Sequence, residues 1–185
     1  MTYYTITGII RSSTPVLLIT ALAGIAAGQM LNAEIDRIVS MPALLILIPA
    51  LIKIGGDTGS ILGARLASAF HLGFERRIFK NPVVRNSVLG VSIVGVIALF
   101  SLSVTVWLVS LLLGHQVDYL VLLKICYIAG LIELIIVFFF TVIISFASYK
   151  YGLDPDDTVI PVIATLGDIV GVAGILMALN ILQVV

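Results

Sequence analysis

The sequence predicts an all-α polytopic membrane protein with five transmembrane helices. Three observations predict it. The 185-residue chain is 61% hydrophobic and only 11% charged, whereas soluble domains run about half apolar and a quarter charged. Its apolar residues gather into five runs, each at or near the ~20 residues that cross a bilayer. Its prolines fall mostly at the starts of those runs, where a missing N–H leaves nothing unpaired. The length fits a single transmembrane domain over residues 1–185. A formal net charge of +0 gives no basic footprint for nucleic acid, so none is expected as a partner. Cys126 is the single cysteine. It has no partner for an internal disulfide and no metal-ligand spacing, and it reads as a small lipid- or core-facing residue.

The five spans are expected at about 15–31, 42–70, 88–113, 120–147 and 159–185. Span one opens on Thr14-Pro15, a capping side chain followed by proline at the first helical position. Its Gly24 and Gly28 read as a helix-packing face. Span two opens at Pro42. Span three opens on Asn81-Pro82, which repeats the cap-and-proline pattern. Asp118 can cap span four, and Gly152 can take the left-handed turn after it. Span five opens on Asp154-Pro155. Asp154, Asp156 and Asp157 suit the positive end of that helix, or alternatively a cytoplasmic cation-loading site.

Two prolines, Pro49 and Pro161, lie inside or near the start of a span, and each precedes a Gly-Asp pair. Ile48 to Ser60 reads IPALIKIGGDTGS. Gly55, Gly56 and Gly59 argue against a regular helix there. Span two is therefore expected to be broken near Gly55–Gly59, with backbone carbonyls turned toward protein or water.

Orientation follows from lysine and arginine. Arg76, Arg77, Lys80 and Arg85 follow span two, and Arg11 and Lys150 fall on the same side. Arg37 lies opposite, with Glu34, Asp36 and Asp118. The positive-inside rule then puts the N-terminus in the cytoplasm and the C-terminus outside the cell membrane.

Three carboxylates sit at membrane depth: Asp57, Glu133 and Asp168. Each costs about 3 kcal/mol to insert, so the default expectation is an ion or proton path. Asp168 leads, because span five carries no lysine or arginine to neutralise it. Thr165 and Ala164 lie below it and Gly171 above. Gly167, Gly171 and Gly174 make a small face that permits close helix approach. Asp57 has Lys53 four residues earlier and Arg65 eight later, either of which can neutralise it. Glu133 either lines the path or bonds a neighbouring helix. His71 and His115 read as interfacial. Carboxylates, hydroxyls and carbonyls suit hard cations such as Mg²⁺, Ca²⁺ or Mn²⁺.

The stretch from Pro42-Ala43-Leu44-Leu45 through Ile48-Pro49 to Gly55-Gly56-Asp57-Thr58-Gly59-Ser60 resembles the second transmembrane helix of the MgtE-type magnesium transporters. DPDDTVIPVIATLGDIVGV, from Asp154 to Val172, resembles the start of their fifth. The family's relatives include the eukaryotic solute-carrier magnesium transporters. The resemblance implies a homodimer with a cation pore on its two-fold axis, lined by spans two and five of each copy. Asp168 matches the family's pore aspartate, and Mg²⁺ is the implied transported ion. The expected ion-facing residues are Asp168, Asp57, Thr165, Gly55, Gly56 and Glu133. The partners implied are a divalent cation, membrane lipid and a second copy of the chain.

The chain departs from the family in two ways. It reads as one five-helix unit without the cytoplasmic N-terminal and CBS domains of bacterial members. Asp57 stands where those members usually carry asparagine. Three other readings remain open: a transporter coupled to Na⁺ or H⁺, a membrane subunit that carries nothing, and an intramembrane aspartyl protease. The protease needs two carboxylates sharing a proton. Neither Ile54-Gly55-Gly56-Asp57 nor Thr165-Leu166-Gly167-Asp168 fits the Gly-x-Gly-Asp pattern of such enzymes.

Overall fold

The computed structural model describes residues 5–72, 81–153 and 155–184, with the side chains of 155–157 left out. These residues form six α-helices and no strand: α1 (Ile6–Ala33), α2 (Ile35–Ser40), α3 (Pro42–His71), α4 (Pro82–Leu112), α5 (Tyr119–Tyr151) and α6 (Pro155–Leu182). Five are long and apolar enough to cross a membrane, and α2 is the short exception.

Local signals set most of the helix ends. Asn81 accepts a hydrogen bond from the Val83 N–H at 2.9 Å, with Pro82 behind it as the first helical residue. Asp118 does the same for Leu120 at 2.8 Å. Gly152 ends α5 with φ 64°, a conformation that glycine adopts without a Cβ clash. Arg76, Arg77, Lys80 and Asp154 lie outside the described residues, as do the Asp156 and Asp157 side chains.

The first span differs from its expected start. Pro15 lies inside α1 rather than opening it, and the helix begins at Ile6 behind Thr5, whose hydroxyl accepts from the Gly8 N–H. Proline at 15 removes only the bond to the Arg11 carbonyl, one turn back. That carbonyl opens the polar run Arg11-Ser12-Ser13-Thr14 just before the proline.

The expected break in span two is absent. α3 runs unbroken from Pro42 to His71 through Pro49, Gly55, Gly56 and Gly59. Glycine in a helix costs about 1 kcal/mol against alanine, a local preference that tertiary packing overrides. Gly55, Gly56 and Gly59 are buried, and their missing side chains bring other helices close. A Cβ on Gly59 would stand 2.5 Å from both Ile163 Cγ2 and Val137 Cγ1. The glycines are a packing face, not a hinge.

α3, α5 and α6 pack on one another and form the centre of the bundle. α4 covers the α3 and α5 side. α1 touches only α6 and α2 among the described helices. Just 6% of the apolar window of α1 is buried, against 50% in α6. A Cβ added at Gly24 or Gly28 would meet nothing within 4 Å among the described residues, so neither glycine is needed for close packing inside the bundle. α2 is tied to the far end of α6 by Arg37, which donates to Asn180 Oδ1 at 2.8 Å. Cys126 is buried, with its thiol on the Leu99 carbonyl.

Candidate functional site

Asp57, Glu133 and Asp168 each lie roughly 20 Å or more from both ends of their helices, at about 1.5 Å per residue. The structure brings all three to mid-height, but not to one surface.

On α3, every fourth residue faces outward. Leu45, Pro49, Lys53, Asp57 and Ile61 form this exposed line, as side chains four apart on a helix must. Lys53 and Asp57 are an i,i+4 ion pair, and their side chains are 73% and 54% exposed. Lys53 therefore answers which cation neutralises Asp57. Arg65 forms no ion pair among the described residues, and it lines a groove with Asn86 and Ser87 beside α4. Asp168 is half-buried on α6. Thr165 lies one turn below, its hydroxyl donating to the Pro161 carbonyl at 2.9 Å.

Gly55 and Gly56 are buried within the unbroken α3 and do not offer open-turn carbonyls. The Thr58 hydroxyl already donates to the Ile54 carbonyl at 2.7 Å and to the Gly55 carbonyl at 3.1 Å. Their contribution is closeness. Gly56 meets the Ala164 backbone, and Gly167 of α6 meets the Gly56 backbone. With no side chain at either crossing position, α3 and α6 touch main chain to main chain.

Glu133 of α5 lies behind this seam. It is 1% exposed. A side chain on Gly55 would collide with its carboxyl, and a Cβ on Gly171 would come 3.0 Å from Oε1. Among the described residues of one chain, no three His, Cys, Asp or Glu side chains group to hold a metal ion. His71 and His115 stand at helix ends and take no part; His71 Nδ1 lies 2.8 Å from the Ala67 carbonyl. The sequence did not single out Lys53 as part of an outward-facing strip. Its i,i+4 spacing from Asp57 signalled the pair, but not the face.

The model of one protein family, MgtE, described as a divalent cation transporter, matches residues 48–178. No curated protein and no solved structure matches the chain. The matched stretch begins inside α3, passes through α4 and α5 and ends near the close of α6. It contains Lys53, Asp57, Glu133, Thr165 and Asp168, and it covers well over half of the sequence. An integral membrane bundle of five long apolar helices is what such a transporter requires. The chain belongs to the MgtE family of divalent cation transporters.

Proposed function

We propose that two copies of this chain pair through their α3–α6 faces and pass Mg²⁺ along the two-fold axis between them. One observation carries the reading. The Lys53–Asp57 pair is exposed at mid-membrane height, where lipid would leave both charges without water. A water-filled path between two copies resolves that conflict, because charged residues in membrane proteins face the bundle interior or a cavity.

Asp168 is the principal ion-facing group, and pairing gives two such carboxylates across the axis. A hydrated Mg²⁺ needs few protein ligands, since it keeps several of its waters. This suits a strip that offers one half-buried carboxylate per copy. Thr165 supplies an oxygen one turn below, and Asp57 sits beside the path with its charge balanced by Lys53. Gly55 and Gly56 act by letting the two lining helices meet closely. The lysine and arginine bias favours a cytoplasmic N-terminus and an outer C-terminus, with the protein in the cell membrane.

The test is Mg²⁺ uptake into proteoliposomes by wild type and Asp168→Asn, alongside cross-linking of cysteines introduced at Ile61. Uptake that disappears in a folded mutant, with cross-linked dimers, supports the reading. Unchanged uptake in the mutant removes Asp168 from the path. Failure to cross-link removes the α3–α6 face as the interface.

A further inference from the structure

Glycines hold α4 and α5 close at mid-span. A Cβ on Gly95 would stand 2.8 Å from Leu134 Cδ1, and one on Gly130 would collide with Leu99. These two contacts make the helices antiparallel neighbours, so the start of α4 lies beside the end of α5. From that crossing toward the start of α4, the pair leaves a groove of about 440 Å³. Buried Val84 and Phe138 line it from within, and Leu89, Phe139 and Ile143 stand exposed along its sides. On α4 the lining runs from Arg85 at the outer end to Ser92 at the inner end. Those seven steps span about 10 Å at 1.5 Å per residue. One leaflet of hydrocarbon is about 15 Å deep, half of the ~30 Å core. The groove thus has the length and the apolar walls of a seat for a lipid chain.

Its outer end is basic. α4 has 31 residues, or about 46 Å, so its first turns reach beyond the hydrocarbon to the level of the headgroups. Arg85 stands there, three residues after Pro82. It is exposed, and among the described residues its side chain forms no ion pair. No acidic residue occurs in 84–92 or 135–143 to answer it. The segment just before it adds Arg76, Arg77 and Lys80 against Glu75 alone. A guanidinium presents a planar fork that matches a phosphate. Basic residues at the mouth of a gap between spanning helices suit an anionic headgroup. A zwitterionic lipid would bring its own ammonium into the same basic region.

We propose that the α4–α5 groove binds one anionic phospholipid of the membrane. An acyl chain lies along Leu89, Phe139 and Ile143, and the phosphate rests on Arg85. A second copy of the chain seated in the groove would instead bury Arg85 beside apolar side chains without a counter-ion. No residue of α3 or α6 lines the groove, so the inference stands apart from the transport reading.

Tryptophan quenching by brominated lipids tests it. The full chain carries one tryptophan, Trp107. With Trp107→Phe as background, Phe139→Trp places the reporter in the groove. Leu108→Trp places a control at an exposed site near the other end of α4. The protein is reconstituted in phosphatidylcholine vesicles, with dibrominated phosphatidylglycerol or dibrominated phosphatidylcholine added in steps. At Phe139→Trp, the anionic lipid should quench at about one fifth of the mole fraction that the zwitterionic lipid needs, the worth of one basic residue near a membrane surface. Leu108→Trp should show no preference. Arg85→Lys should keep the preference at the groove, and Arg85→Gln should abolish it. Should Arg85→Gln fail to fold, the comparison of the two reporters still decides. Equal quenching by both lipids at Phe139→Trp overturns the inference and leaves ordinary lipid contact. A preference of the same size at Leu108→Trp, or one that survives Arg85→Gln, overturns the site at Arg85. No quenching at Phe139→Trp by either lipid means that protein covers the groove, and it overturns the inference in favour of a second copy.

Discussion

Gly167 of α6 lies against the main chain of Gly56 of α3: a Cβ at 167 would stand 2.8 Å from the Gly56 nitrogen and 2.9 Å from its Cα. Backbone, unlike the tip of a flexible side chain, cannot step aside. Gly167→Ala is therefore expected to force α3 and α6 apart and to cost about 1–3 kcal/mol, as overpacking does. Gly28→Ala is the control. Nothing among the described residues lies within 4 Å of a Cβ there, so no overpacking penalty is expected. Thermal unfolding in detergent, with the two variants side by side, measures the difference.

Lys53 and Asp57 separate stability from transport. An exposed ion pair contributes about 1 kcal/mol or less, so neither Lys53→Met nor Asp57→Asn is expected to unfold the bundle. Their transport effects should oppose each other. Lys53→Met leaves Asp57 and Asp168 without the ammonium and lowers the Mg²⁺ concentration for half-maximal uptake. Asp57→Asn leaves the ammonium unmatched and raises it. Concentration series of uptake in proteoliposomes check both directions; equal shifts of the same sign would remove the strip from the path.

Cysteine scanning distinguishes an unbroken α3 from a broken one. With Cys126 replaced by alanine, cysteines at Lys53, Asp57 and Ile61 should react with aqueous thiol reagents, and cysteines at Thr58 and Leu62 should not. Exposure on α3 follows the four-residue helical repeat. Uniform reactivity from 55 to 60 would instead mark an open turn.

Arg37 ties the short α2 to the end of α6 through Asn180 at 2.8 Å. Asn180→Ala removes the acceptor and leaves Arg37 its contact with Glu34 at 3.3 Å. The expected loss is about 1 kcal/mol, the usual size of one hydrogen bond. It should appear as a lower unfolding temperature without a change in Mg²⁺ affinity, since the bond lies far from the strip.

The parts of the fold legible in the sequence are those written in neighbouring residues. Asn81-Pro82, Asp118 and Gly152 each act within a few residues, and each marks a helix end in the structure. Lys53 and Asp57 pair because one helical turn separates them. The glycines of α3 misled for the same reason. Locally they weaken a helix, and only the approach of Ile163, Ala164 and Gly167 from α6 gives them a purpose inside one. Pro15 misled because a proline near a span's start opens most helices, yet α1 begins nine residues earlier. The seat of Glu133 was beyond reach, since it is assembled from α3, α5 and α6 at once and no spacing along the chain encodes it.

The attachment of α1 has a consequence for how the protein is made. Its long-range partner is α6, which the ribosome produces after every other helix described. Being made before the other described spans, α1 must therefore wait beside lipid while α3, α4 and α5 assemble, and it docks once α6 arrives. The earliest of the described helices is thus fixed by the latest, and a chain stopped before α6 leaves α1 in the membrane without its main partner among the described helices.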